Sequence, residues 1–140
     1  MNDVWLIMLI TNMLIPVIMI VFGMLFSKKI PKTINALFGY RTTRSMKNED
    51  TWAFAHHFIG RIWTKLGIII LILSLLMMIL LYNKEIEIIA LYGVIFTFVQ
   101  LTIMIIPIYK TEKELRLTFD ESGKRLWGLV FYEICHKEVK

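Results

Sequence analysis

Residues 4–26, VWLIMLITNMLIPVIMIVFGMLF, carry no charged side chain over 23 positions. As a helix this run rises about 34 Å, enough to cross a hydrocarbon core of about 30 Å with some tilt. Ile88 to Tyr109 is a second uncharged run, 22 residues long, and Leu66 to Tyr82 is a third, of 17 residues. The third is short for a span. Ile59, Ile62 and Trp63 extend it, and Lys65 can snorkel toward headgroups. The chain has 140 residues, is 57% hydrophobic and has a mean hydropathy of +0.65. Three such runs leave too little polar surface to cover them as the core of a soluble domain. The sequence therefore predicts an all-α membrane protein with three transmembrane helices, over residues 4–26, 59–82 and 88–109. A cytoplasmic loop, 27–58, and a tail, 110–140, complete the chain. The first run reads as a retained span: MND precedes it without Lys or Arg, LFSKKIPK follows in place of a small-residue cleavage site, and it is longer than a signal-peptide core.

Charge orients the spans. No Lys or Arg precedes the first run, eight lie between Ser27 and Lys65, one is in NKEIE, and seven follow from Lys110 onward. Positive residues concentrate on the cytoplasmic side, so the N-terminus and the loop 83–87 are expected outside and the long loop and C-terminus inside. The net charge of +5 and the pI near 9.4 fit anionic lipids at the inner face better than nucleic acid in so apolar a chain. The single cysteine, Cys135, excludes an intrachain disulfide framework and a multi-cysteine metal cluster.

Ionisable residues inside spans mark proton and ion paths, and the three runs contain none. Their polar residues are Thr11, Asn12, Ser74, Thr97, Gln100 and Thr102. Asn12 falls about 12 Å and Gln100 about 18 Å from the outer ends of two spans that run in the same direction, so the two can meet across a helix interface. Packing by hydrogen bonds is the simpler reading; a polar contact for a peptide or ion is the functional one. Pro16 and Pro107 are candidate kink positions.

In the loop, Pro31 suits a first helical turn, and Ile30, Ile34, Leu37 and Phe38 recur at helical spacing, which predicts a short amphipathic helix at the inner interface. Gly39 fits the left-handed position just past its end. A compact GYRTTRS turn follows, with Tyr40 suited to the headgroup zone and Arg41 and Arg44 to lipid phosphates. Arg41 is expected to face inward, bonded to backbone carbonyls or to Glu49 or Asp50. Asn48 is a good helix N-cap, with Glu49 and Asp50 in the favourable first turn. From there one helix reads on to Tyr82. Its stem sets Trp52, His56, Gly60 (or Ile59), Trp63 and Gly67 on one face and His57, Arg61 and Lys65 on another. His56 and His57 point about 100° apart on a helix, unlike a metal pair, which needs a spacing of three or four. No cofactor or metal set and no catalytic pattern stands out. In the tail, LRLTF alternates apolar and polar residues before DESGK, a turn signal with Gly123. A β-hairpin-like tail is expected, leaning on the loop or the membrane through Trp127, Phe131 and Tyr132, with an amphipathic helix as the alternative.

The motif N-x3-GYRT-x2-S-x6-W-x2-A-x4-G, at Asn35, Gly39, Tyr40, Arg41, Thr42, Ser45, Trp52, Ala55 and Gly60, resembles that of the SdpI family of bacterial integral membrane proteins. The match is close from Pro31 to Gly67 and extends over the chain by its order of spans. The resemblance implies a bacterial cell-membrane immunity protein, conferring bacteriocin resistance against a membrane-active toxic peptide. It also implies a signalling role through a cytoplasmic regulator. The candidate partner-binding residues are then Asn35, Gly39, Tyr40, Arg41, Thr42, Ser45, Trp52 and His56. An alternative is a subunit of an oligomeric transporter or channel lined by Asn12 and Gln100; three spans alone enclose no path, so it requires a homo-oligomer. A third reading is an interfacial enzyme, with Arg41 on a phosphate and a stem histidine as base.

Overall fold

The computed structural model describes residues 3–28, 34 and 39–126. It contains three helices: α1 (Asp3–Lys28), α2 (Glu49–Leu80) and α3 (Ile86–Thr118). Their lengths of 26, 32 and 33 residues correspond to about 39, 48 and 50 Å. All three are long and apolar enough to cross a membrane. The predicted interfacial helix, with Asn35, lies outside the described residues apart from Ile34, as do Trp127, Phe131, Tyr132, Cys135 and His136.

The start of α2 follows from its local sequence. Asn48 accepts a hydrogen bond from the Thr51 amide at 2.9 Å, and the Asn48 amide donates to Thr51 Oγ1 at 3.1 Å. This reciprocal box satisfies two groups that a helix end otherwise leaves open. From Glu49 the helix runs unbroken to Leu80. Pro16 and Pro107 sit inside α1 and α3, which both continue through them.

α1 and α2 meet at glycines. A β-carbon on Gly60 would lie 2.8 Å from the Gly23 carbonyl oxygen and from the Ser27 amide nitrogen. Close backbone approach of this kind replaces the hydrophobic driving force that is missing between helices in lipid. At the far end, the Trp5 indole donates to the Met78 carbonyl at 2.8 Å and meets the Tyr82 ring edge-on at 5.2 Å. The start of α1 thus lies against the end of α2.

The bundle turns its intramembrane polar side chains inward and leaves many apolar ones on its outer surface. Asn12, Ser74 and Gln100 are fully buried, while Leu14, Ile72, Phe98 and Ile105 are exposed. That pattern suits a hydrocarbon solvent, where exposed apolar side chains cost nothing and polar ones turn inward.

The tail corrects the sequence reading. Leu115 to Thr118, expected as a strand, is the last turn of α3. Thr111, Leu115 and Phe119 recur every fourth residue and are buried, whereas Leu117 is 58% exposed. The governing period is that of a helix packing one face on the core shared by Phe26, Ala55 and Ile59, not that of a strand. Of the hairpin, only its turn and one isolated antiparallel bridge, Phe119 to Arg125, are present among the described residues. Gly123 has φ +84°. Asp120 Oδ1 accepts from the Ser122 amide, the Ser122 hydroxyl and the Lys124 amide at 2.8–2.9 Å. These bonds hold the Asp120 carboxyl below the usual carboxylate range, the Lys124 amide contributing most. The turn docks on the α2 N-terminus: Asn48 Nδ2 donates to the Gly123 carbonyl, and Arg125 forms a two-pronged ion pair with Asp50 at 2.6 Å.

Candidate functional site

The residues of the GYRT stretch converge on the stem of α2 and the extension of α3. Gly39 has φ +123°, and a β-carbon there would collide with His56 Nε2 and the Trp52 ring. Both the backbone sign and the space require glycine. The next amide, of Tyr40, donates to His56 Nε2 at 2.9 Å, while His56 Nδ1 lies 2.7 Å from the Trp52 carbonyl. The carbonyl can only accept, so Nδ1 carries the proton and Nε2 is the acceptor. His56 is thus a neutral imidazole of one tautomer, with both nitrogens engaged. Its ring is fully buried, centred 4.2 Å from Trp52 and 5.0 Å from Phe26. Burial is the main cause that pushes its pKa below the ordinary 6.5.

Tyr40 continues the clasp toward α3. Its hydroxyl donates to Glu112 Oε1 at 2.9 Å, and the Ile108 carbonyl lies at 3.2 Å. Burial, then the Glu112 hydrogen bond, push the phenol above its ordinary range. Ser45 closes the turn: its hydroxyl donates to the Tyr40 carbonyl at 2.9 Å and accepts from the Thr42 amide at 2.9 Å, and its amide donates to Thr42 Oγ1 at 3.1 Å. Gly39, Tyr40, Thr42, Ser45, Trp52 and His56 therefore form one hydrogen-bonded and stacked unit, and the stem face with Trp52, His56, Gly60 and Gly67 is the buried one. His57, Arg61 and Lys65 face outward.

Arg41 departs from expectation. It is exposed and, among the described residues, has no hydrogen-bond or ion-pair partner. Its neighbours explain this: Tyr40 is drawn inward and Thr42 is tied to Ser45, so the side chain between them turns outward. Asp50, one expected partner, is occupied by Arg125, whose hydrogen bond is the main cause lowering the Asp50 pKa. Beside Arg41, Ile18 and Phe22 of α1, Trp63 of α2, and Met104 and Ile108 of α3 line a groove of about 470 Å³.

The second predicted pair also comes together. Gln100 Nε2 lies 3.3 Å from the Asn12 carbonyl and 3.4 Å from Asn12 Oδ1, and donates to Ser74 Oγ at 2.9 Å. Asn12 Nδ2 donates to the Met8 carbonyl at 2.9 Å and to the Gly93 carbonyl at 3.3 Å. Three helices are joined at this point. Gln100 Oε1 is buried and has no partner among the described residues. Sequence reasoning noted Ser74 as polar but did not place it here, and it missed Glu112 altogether. Glu112 lies a helical turn beyond Ile108, a signal that becomes readable only once α3 is known to continue past the membrane.

The long apolar helices and the interior network define a multi-pass integral membrane protein with a folded clasp at one end of the bundle. Residues 32–110 match the SdpI/YfhL protein family, and the chain belongs to it. The match takes in the clasp, α2 and most of α3. The chain is similar to YfhL of Bacillus subtilis (strain 168), an uncharacterized protein, at 35% identity over 60 residues, covering 43% of this chain and 54% of that one. The chain thus spans about half the length of that curated relative. No solved structure matches the chain.

Proposed function

We propose that the chain protects its cell against a membrane-active toxic peptide, as a non-enzymatic immunity protein. The family match over the clasp carries this reading, together with the immunity role that the GYRT motif's resemblance implies. The chemistry supports it. The intramembrane side chains bond to one another instead of forming an ionisable relay, and both nitrogens of His56 are held in structural hydrogen bonds. Toxin meets the protein from the outer face or within the bilayer. The clasp end, rich in Lys and Arg, faces the cytoplasm and the anionic inner leaflet, and offers a surface to a cytoplasmic regulator.

Expression in a sensitive bacterium tests this. Survival under challenge by the cognate peptide should rise with the wild-type chain; unchanged survival with correct membrane insertion counts against the proposal. Orientation is checked by reporter fusions at both termini, with the N-terminus expected outside and the C-terminus inside.

The oligomeric transporter remains a second reading, motivated by the unpartnered Gln100 Oε1. A strictly monomeric protein in bilayers would argue against it.

A further inference from the structure

The groove beside the clasp has a chemistry that the bundle does not use. Ile18, Phe22 and Phe26 on α1, Trp63 on α2, and Met104 and Ile108 on α3 line it with apolar surface. Ile18 and Ile108 are 39% and 37% exposed, so the groove opens on the flank of the bundle. The Trp63 indole donates to the Met104 carbonyl at 3.2 Å, which ties α2 to α3 beside the groove and holds the ring in place. At the clasp end the walls give way to Gly39, Tyr40, Arg41 and Thr42. Arg41 is the cation there, exposed and without a partner among the described residues. The Tyr40 hydroxyl is committed to Glu112, so the Glu112 carboxylate is already engaged and does not line the groove.

We propose that this groove is a site for one anionic glycerophospholipid, with an acyl chain between α1 and α3 and its headgroup phosphate on Arg41. Three features together select this occupant. The walls are apolar and open sideways, as a membrane-embedded chain requires. The mouth carries a fixed-charge guanidinium, suited to two-pronged binding of a phosphate. The groove volume of about 470 Å³ is within the range of roughly 300–1,000 Å³ typical of small-molecule pockets. A zwitterionic phospholipid satisfies the walls but offers Arg41 a phosphate whose charge is already offset by its own headgroup cation; a free anion satisfies Arg41 but leaves the walls empty. The site also places a lipid beside the turn that carries Tyr40. The inference rests on the membrane-spanning fold and is independent of the immunity reading.

The test uses the full chain in vesicles of phosphatidylcholine and phosphatidylglycerol, one of the two with brominated acyl chains. Trp63 emission is isolated by subtracting the Trp63→Phe variant, and quenching reports which lipid occupies the groove. The expected result is an affinity for phosphatidylglycerol about five-fold above that for phosphatidylcholine, the size of one basic contact at a membrane surface. The preference should fall to near unity in Arg41→Gln, be partly retained in Arg41→Lys, which keeps the charge but not the two-pronged geometry, and be unchanged in Lys47→Gln. Ile18→Phe, which narrows the groove, should weaken quenching by both lipids. Equal quenching in the wild type, a preference that survives Arg41→Gln, or equal loss in Lys47→Gln would each overturn the proposal. Arg41 is exposed, so its variants are expected to fold; Arg41→Lys separates loss of charge from loss of structure.

Discussion

Replacing His56 tests the clasp most directly. His56→Ala removes the acceptor of the Tyr40 amide and the ring that lies against Trp52 and Phe26. A buried amide left without a partner costs about 1–3 kcal/mol. Truncating a buried ring adds a cavity term of similar size, and large aromatic truncations reach about 3–5 kcal/mol. Because Trp52 and the turn can partly collapse into the space, a total loss of about 3–4 kcal/mol is expected. His56→Gln is the discriminating control, since its side-chain oxygen can reach the position of Nε2 and accept from Tyr40; it should cost about half as much. Unfolding by titration with sodium dodecyl sulfate in mixed micelles measures both. Amide exchange at Tyr40 should rise steeply in His56→Ala and less in His56→Gln. The same histidine gives the clasp a pH dependence. Its pKa is lowered in the folded state, so the unfolded chain binds more protons below pH 6.5. Stability therefore falls as pH drops from 6.5 through the folded value, and is fully present above it. Tyr40 exchange, corrected for its intrinsic rate, should increase over that interval in the wild type and not in His56→Gln. An Ala variant within 1 kcal/mol of the wild type, by the scale of ordinary surface substitutions, would refute the hydrogen-bonded clasp. A Gln variant as damaged as Ala would refute the role given to Nε2.

Gly60→Leu should force α1 from α2, because even a β-carbon would lie 2.8 Å from two backbone atoms of α1; a loss of about 1–3 kcal/mol or more is expected in the same titration. Gln100→Leu removes the bond to Ser74 but also the unpartnered Oε1, so it should cost no more than about 1 kcal/mol, whereas Asn12→Leu should cost more because it severs two carbonyl bonds and the Gln100 contact. Arg125→Gln breaks an exposed ion pair with Asp50 and should change global stability by less than about 1 kcal/mol. Its effect should appear locally, as faster amide exchange in the turn from Asp120 to Lys124.

Features that depend on neighbours in the chain were legible in the sequence. A span needs only a long uncharged run, and Val4–Phe26 and Ile88–Tyr109 supply one each. The Asn48 cap and the positive φ of Gly39 and Gly123 are decisions taken within four residues, where side-chain chemistry and the missing β-carbon act alone. The buried stem face was readable because helical spacing puts Trp52, His56, Gly60 and Gly67 together whatever they meet. The meeting of Asn12 and Gln100 required only two depths and a shared direction.

What the tertiary structure decided involves registers between elements that local patterns do not encode. Alternation in LRLT suggested a strand, but the packing of Leu115 and Phe119 on the core with Phe26, Ala55 and Ile59 kept Leu115 to Thr118 helical up to the extended cap at Phe119. Arg41 was expected to bond backbone carbonyls, Glu49 or Asp50; Asp50 is taken instead by Arg125, 75 residues away in the chain. Ser74 and Glu112 joined their networks only when three helices were set at fixed rotations and depths. Sequence alone specified three membrane-crossing helices, a capped stem and a glycine turn, because hydrophobicity and backbone conformation are local. Only the packed bundle determined which polar groups pair and which cation is left facing a groove, because pairing depends on distances between chain segments that no local pattern fixes.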